Sequence, residues 1–86
     1  MHIAPGKYRH FKGGIYNVIG IATGTEDGSK VVVYQPLYGS RCYEIAHRPL
    51  AMFIEHVDRD SYKGPRFVLI EEYNEPRIEP LRIYQD

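Results

Sequence analysis

Cysteine, tryptophan and long apolar runs are scarce or missing in this chain of 86 residues. Its one cysteine, Cys42, excludes an internal disulfide framework and suits a reducing compartment. No apolar run approaches the roughly 20 residues that a membrane-spanning helix needs, and the first ten residues lack the apolar stretch of a signal peptide. These features predict a cytoplasmic protein with no membrane association.

The chain also has no net charge, because eleven Lys and Arg balance eleven Asp and Glu. The two signs are unevenly spread: residues 1–50 carry six basic against three acidic residues, and residues 51–86 carry five against eight. A neutral total disfavours a strongly basic nucleic-acid binder. The asymmetry is compatible with a weak homo-oligomer, in which oppositely charged halves of two copies meet.

Length and composition indicate one small globular domain over residues 1–86. A chain of this size buries only about 60% of its unfolded surface, which allows one modest core. The content of hydrophobic residues, 43%, and of charged residues, 26%, is ordinary for such a domain. Eight tyrosines are more unusual. Tyrosine suits half-buried strand positions, where the ring packs and the hydroxyl reaches water.

The most informative stretch is "IYNVIGIATGTEDGSKVVVYQP". Two β-branched runs flank Asp27-Gly28, a dipeptide typical of tight hairpin turns. We therefore predict antiparallel strands near residues 15–24 and 30–36, joined by this turn. Pro36 cannot donate a hydrogen bond to a strand ladder, so it predicts an edge, a bulge or the end of the second strand.

The opening "KYRHF" alternates as a short strand, in which Tyr8 and His10 share one face. The opposite face carries Phe11, which needs burial, so the pattern predicts an accessible face for the first pair. Pro49 suits the first position of a helix, and apolar residues at helical spacing follow it. The further elements predicted are strands at 7–11, 42–46 and 65–73 and one short helix within 49–57.

About five strands and one helix in a chain of this size predict a mainly β fold, a small and strongly curved β-barrel, since closing a sheet removes most of its exposed edges. The tail, residues 74–86, alternates enough to lie along the surface or to pair at an edge. The predicted core consists of Ile15 or Tyr16, Val18, Val32, Tyr34, Leu50, Phe53, Phe67 and Leu69.

Four blocks occur in the order "GKYRHFKGGIYNVIGIA", "VVVYQPLYG", "RPLAMFIEHV" and "PRFVLI". Together they resemble a bacterial family of unknown function, domain of unknown function 1653 (DUF1653). The resemblance implies an SH3-like β-barrel or roll over residues 5–70, with residues 71–86 as a C-terminal extension, and it implies no activity. The positions that match the family pattern are Gly6, Tyr8, His10, Gly13, Tyr34, Leu37, Tyr38, Gly39, Arg48, Pro49, Met52 and Phe53.

Four of these matching residues form the candidate ligand site: Tyr8, His10, Tyr34 and Arg48. The tyrosines would stack on a planar ligand, while Arg48 would hold a phosphate or carboxylate and His10 would donate a hydrogen bond. The alternative assigns the aromatic rings to holding the sheets together and the arginine to a structural contact. The sequence leaves both interpretations open.

Catalysis and metal binding find little support in the sequence. The histidines, Cys42 and the acids show no recognised metal-ligand spacing, and Cys42 with His47 lacks the orienting group of a nucleophilic site. We therefore predict no enzyme, no metal site and no cofactor, but a binding or interaction module with an unidentified ligand or protein partner. The alternative is an RNA- or nucleotide-binding module that uses the aromatic and basic residues of "KYRHFK", which otherwise read as an edge strand kept soluble by its charges.

Overall fold

The computed structural model describes residues 2–79. Within them, seven strands form two antiparallel sheets, with one turn of helix between the fourth and fifth strands. The elements are β1 (Gly6–His10), β2 (Ile15–Thr23), β3 (Lys30–Pro36), β4 (Ala46–Pro49), α1 (Leu50–Phe53), β5 (His56–Arg59), β6 (Tyr62–Pro65) and β7 (Phe67–Glu72). The large sheet has the strand order β4-β3-β2-β1-β7, and β5 pairs with β6.

The predicted mainly β fold with one short helix is confirmed. The sheets differ from the expected barrel in one respect, because the large sheet of residues 2–79 is open, with β4 and β7 at its edges. The segment after Pro49 also differs from the predicted helix within residues 49–57. Only its first half is helical, and its second half forms β5, which pairs with β6 as a separate hairpin.

The turn at Asp27-Gly28 is confirmed as the connection between β2 and β3. Gly28 has φ 73°, a left-handed conformation that glycine adopts without steric cost. The Asp27 carboxylate accepts the backbone N–H of Ser29 at 2.9 Å, which also lowers the pKa of Asp27. Backbone hydrogen bonds from Gly24 to Ser29 and from Gly28 to Gly24 complete the turn.

The strand predicted at residues 42–46 is wrong, since β4 begins at Ala46 and the preceding residues form turns. Tyr43 has φ 72°, outside the extended region, and its N–H donates to the carbonyl of Pro36 at 2.8 Å. The chain must reverse here before it can pair with β3. Cys42 is therefore half-buried in a turn rather than held in a strand.

One face of the large sheet carries all four predicted site residues. Opposite residues of an antiparallel pair share a face, and Tyr8 lies opposite Tyr16. On neighbouring strands, Arg48 lies opposite Val32. We call this face, which also carries the core cluster, the inner face.

Side chains of the inner face and the helix make up the core. Phe53 of α1 stacks on Phe67 at 4.4 Å between ring centroids and meets the edge of Tyr8 at 5.4 Å. The buried cluster consists of Tyr8, Tyr16, Val18, Val32, Phe53 and Phe67, with Ile3, Ile21, Tyr34 and Leu50 packed against it. The prediction for Leu69 is wrong, because it is 39% exposed on the edge strand β7 while Phe53 covers the Phe67 end of that strand.

The outer face of the sheet holds two buried amides that the sequence analysis did not identify. Asn17 and Gln35 lie opposite each other and are 0% and 1% exposed. Asn17 Nδ2 donates to Gln35 Oε1 at 2.9 Å and to the carbonyl of Arg77 at 2.7 Å. Gln35 exchanges hydrogen bonds with the backbone N–H and carbonyl of Glu79. The tail up to Glu79 thus lies along the surface, as predicted, and the rest of the predicted tail lies outside the described residues.

Candidate functional site: an arginine among aromatic rings

Tyr8 faces the core, so its predicted place on an accessible face is wrong. It is 7% exposed, and its hydroxyl donates to the carbonyl of Ala4 at 2.7 Å. The prediction used Phe11 to decide which face points inward. Phe11 lies beyond the end of β1, in the turn, and therefore does not constrain the alternation of the strand.

Arg48 lies between two aromatic rings. The carbon of its guanidinium is 5.6 Å from the ring centroid of Tyr34 and 5.2 Å from that of Phe67. Both distances fall within the range of cation–π attraction. Its Nε is buried and has no hydrogen-bond partner among the described residues. Strand β4 positions this side chain through its pairing with β3, opposite Val32.

His10 joins the same group of side chains at the end of β1. Its ring lies 5.0 Å from Phe67 and 6.2 Å from Tyr16. The Nδ1 atom accepts the backbone N–H of Lys12 at 3.1 Å, which leaves Nε2 to carry the proton of the neutral ring. Partial burial lowers the pKa of His10 below its ordinary value, and neighbouring cations, Arg48 first among them, lower it further.

Tyr16 connects these residues to a cavity. Its ring makes T-shaped contacts with Tyr34 and Tyr38, whose ring centroids lie 5.3 and 5.6 Å from its own. Its hydroxyl oxygen lies 2.7 Å from that of Tyr38. Burial, followed by this hydrogen bond, raises the pKa of Tyr16 to about 12. A cavity of about 320 Å³ opens beside the three tyrosines, and it is lined by Tyr16, Tyr34, Pro36, Tyr38, Gly39, Ser40 and Arg41.

Three of the four predicted residues therefore converge, and Tyr8 does not. His10, Tyr34 and Arg48 meet around Tyr16 and Phe67, which the sequence analysis had placed in the core only. We call these five residues the arginine site. Phe67 joins the site because β1 pairs with β7 and places Phe67 opposite His10, a pairing that the sequence alone does not indicate.

The charge around the arginine site is positive. The ion pairs among residues 2–79 are Lys7–Glu71, Arg66–Glu55 and Arg77–Glu79, so none of them neutralises Arg48. The charges that act on His10 are all cationic and come from Arg48, Arg66, Lys12 and Arg59. An anion that reached this site would meet the Arg48 guanidinium and the Nε2–H of His10.

The family model for DUF1653, described as a protein of unknown function, matches residues 6–69. The chain belongs to the DUF1653 family. A crystal structure of a DUF1653 protein from Bordetella bronchiseptica is similar to it, with 35% identity and a TM-score of 0.73. The likeness covers 84% of this chain and 92% of the Bordetella chain. A search of curated proteins finds no match.

The family match includes every residue of the arginine site. A larger cavity of about 680 Å³ in this DUF1653 chain shares no lining residue with the site and is bordered mainly by apolar groups such as Ile3, Ile19 and Leu50. Among residues 2–79, no three His, Cys, Asp or Glu side chains are grouped so as to hold a metal ion. In the same residues, no helix is long and apolar enough to cross a membrane.

Proposed function

We propose that this DUF1653 chain is a binding module whose arginine site takes an anionic ligand with a planar group. The observation that carries the proposal is the placement of Arg48 between Tyr34 and Phe67 without an ion-pair partner among residues 2–79. An arginine can hold a phosphate or carboxylate through two parallel hydrogen bonds. A ligand that carries a phosphate or carboxylate on an aromatic ring would place its anionic group on Arg48 and stack its ring on the tyrosines.

The surrounding geometry supports a preformed site. The Tyr16–Tyr38 hydrogen bond of 2.7 Å fixes two walls of the adjoining cavity. His10 is held in one tautomer by Lys12, so its Nε2–H is available to donate to an anion. Preorganised groups lose less conformational freedom when a ligand binds.

We propose no catalytic role for this site. Acid–base or nucleophilic catalysis needs an activated group within reach of a partner that orients it. Cys42 lies in the loop before β4, and His10 already uses Nδ1 to accept a backbone N–H. We also propose a cytoplasmic location, because a single cysteine suits a reducing compartment, which cell fractionation would test.

Phenyl phosphate is the probe that tests the proposal, since it combines a ring with a phosphate. At about 0.3 kcal/mol per non-hydrogen atom, a probe of this size binds with a millimolar Kd, which NMR titration detects. We expect phenyl phosphate to shift the signals of Tyr34, Arg48 and His10, and benzyl alcohol to shift them far less. Saturation with phenyl phosphate that leaves these signals unmoved would overturn the proposal.

A stability measurement separates binding from a structural role. Arg48→Met keeps an apolar stem, removes the charge and removes the buried Nε that lacks a partner. The lost cation–π attraction costs about 0.5–2 kcal/mol, and the removed desolvation of Nε offsets part of it. We expect a change of at most about 1 kcal/mol in the free energy of unfolding. A loss of several kcal/mol with unchanged probe binding would make the arginine structural.

A further inference from the structure

A second pair of rings lies beside the arginine site and is also surrounded by cations. Phe11 and Tyr62 stack with their ring centroids 5.3 Å apart and an angle of 21° between planes. Both side chains are half-buried, so each still meets solvent. We call this pair the stacking pair. It joins the first turn of the chain to the β5–β6 hairpin.

Hydrogen bonds hold the stacking pair in place. The backbone N–H of Phe11 donates to the carbonyl of Arg66 at 2.9 Å, and this bond fastens the turn to the start of β7. The Tyr62 hydroxyl donates to the carbonyl of Pro65 at 2.5 Å. The rings are therefore positioned before any ligand arrives, which lowers the entropic cost of stacking a base on them.

Three cations surround Phe11. Arg59, Arg66 and Lys12 lie 5.5, 5.8 and 5.9 Å from its ring centroid. Arg66 is paired with Glu55 at 2.5 Å, whereas Arg59 and Lys12 have no ion pair within residues 2–79. Although the whole chain is neutral, Arg59 and Lys12 thus lie beside Phe11 as two cations without an ion pair within residues 2–79.

His10 connects the stacking pair to the arginine site. Its ring centroid lies 4.6 Å from that of Phe11 and 6.2 Å from that of Tyr16. Tyr16 is buried and acts as a floor between two accessible groups of rings. One group is Tyr34 with Tyr38, and the other is His10 with the stacking pair. Cations accompany both groups, with Arg48 and Arg41 near the first.

We propose that these two groups of rings, together with the cations beside them, form a row that binds a short single-stranded nucleic acid. Stacked aromatic side chains take successive unpaired bases, and basic side chains between them take the phosphates. A duplex hides the faces of its bases, so the row selects single strands. The inference rests on the proposed function, because it makes the arginine site one of at least two nucleotide positions along the row.

The test compares a single nucleotide with strands of increasing length. Fluorescence anisotropy would measure the Kd of the full chain for labelled U10 and dT10 strands and for a ten-base-pair duplex, with uridine monophosphate as the short competitor. We expect U10 or dT10 to bind at least about fivefold more tightly than the mononucleotide, since each further stacked base contributes that much or more. Preference for U10 or for dT10 identifies the natural strand as RNA or DNA.

Substitutions then locate the strand on the surface. Phe11→Leu and Tyr62→Leu keep apolar side chains but remove the flat rings, and each should weaken U10 binding about fivefold or more. Tyr43→Leu is the matched control, because Tyr43 is exposed and contacts no ring of the row. If Lys12, Arg48 and Arg59 each contact a phosphate, the Kd for U10 should rise about 20-fold when the salt concentration is raised from 50 to 200 mM.

These measurements distinguish failure of the nucleic-acid inference from failure of the proposed function. If uridine monophosphate or phenyl phosphate binds in an Arg48-dependent way, while U10 binds no more tightly and Phe11→Leu has no effect, the nucleic-acid inference is overturned and the proposed function stands. If no anionic probe binds at all, both are overturned. Equal binding of duplex and single strands would show attraction to charge alone and would also contradict the stacking of bases. Circular dichroism of each variant confirms that the fold is retained before binding is compared.

Discussion

The hydroxyl oxygens of Tyr16 and Tyr38 lie 2.7 Å apart. Tyr16 is 9% exposed and belongs to the core cluster, whereas Tyr38 is 50% exposed. This one hydrogen bond therefore ties an accessible ring beside the arginine site to the interior of the sheet. A change in the core that moves Tyr16 will also change the cavity that Tyr38 borders.

The first prediction concerns the ionisation of Tyr16. Burial and then the Tyr38 hydrogen bond raise the pKa of Tyr16 to about 12, so Tyr38→Phe should lower that pKa while leaving it above the ordinary value of about 10. Because the folded pKa is raised, the stabilisation is complete below about pH 10 and is lost as the pH rises through about 12. NMR titration of the Tyr16 ring measures the midpoint, with Tyr43→Phe as the control. An unchanged midpoint in Tyr38→Phe would contradict the role of this hydrogen bond.

The second prediction concerns the helix. Phe53→Ala removes a ring that stacks on Phe67 at 4.4 Å and is 4% exposed. Such truncations of a buried aromatic cost about 3–5 kcal/mol, which is close to the whole stability of a small domain. Met52→Ala in the same helical turn is the control, since Met52 is 46% exposed. Equal thermal midpoints for the two variants would show that α1 does not hold the inner face.

The third prediction concerns the buried amides. Gln35→Met keeps the size of the side chain but removes its hydrogen bonds to Asn17 and to the backbone of Glu79. The segment around Arg77 should then detach more often, so trypsin should cut after Arg77 faster than in the wild-type chain. His47→Gln, an exposed change on β4, serves as the control. The idea that these amides fasten the tail is contradicted if the cleavage rates of all three proteins agree.

The fourth prediction uses His10 as a reporter of the local charge. Burial and then the charge of Arg48 lower its pKa, so its NMR titration midpoint should lie below about 6.5. The stability that neutral His10 contributes is present above about pH 6.5 and is lost as the pH falls through the lower folded pKa. Arg48→Met should raise the midpoint, and saturating phenyl phosphate should raise it in the wild-type chain. If neither change moves the midpoint, His10 senses neither the charge of Arg48 nor the bound anion, and it does not belong to the proposed anion site.

Local sequence signals predicted the parts of the fold that depend on neighbouring residues. Asp27-Gly28 sets a turn by its own conformational preferences, and the flanking β-branched runs pair because that turn brings them together. The short strand β5 was missed because Val57 fits helical spacing as well as it fits a strand. Only pairing with β6, opposite Gly64, decides between the two.

The sequence predicted those site residues whose position follows from the alternation of a strand. The prediction failed for residues whose burial depends on contacts with residues distant in sequence. Tyr34 and Arg48 were found through the family pattern, and their strands place them on one face. Tyr8 was misplaced because Phe11, which was used to choose the inward face, lies in the turn beyond β1, and because Phe53, distant in sequence, packs on Tyr8. Asn17 and Gln35 showed no signal, because their burial depends on the backbone of residues 77–79.

The most direct test of the central claim is the Kd of phenyl phosphate for three proteins, measured by NMR titration: the wild-type chain, Arg48→Met and Arg9→Met. Arg9 is exposed on β1 and lies outside the arginine site. A charge-assisted hydrogen-bonded pair contributes about 1.5–3 kcal/mol. The account therefore predicts a Kd at least about tenfold higher for Arg48→Met and nearly unchanged for Arg9→Met. Equal Kd values for the two variants would contradict the claim that Arg48 forms an anion site.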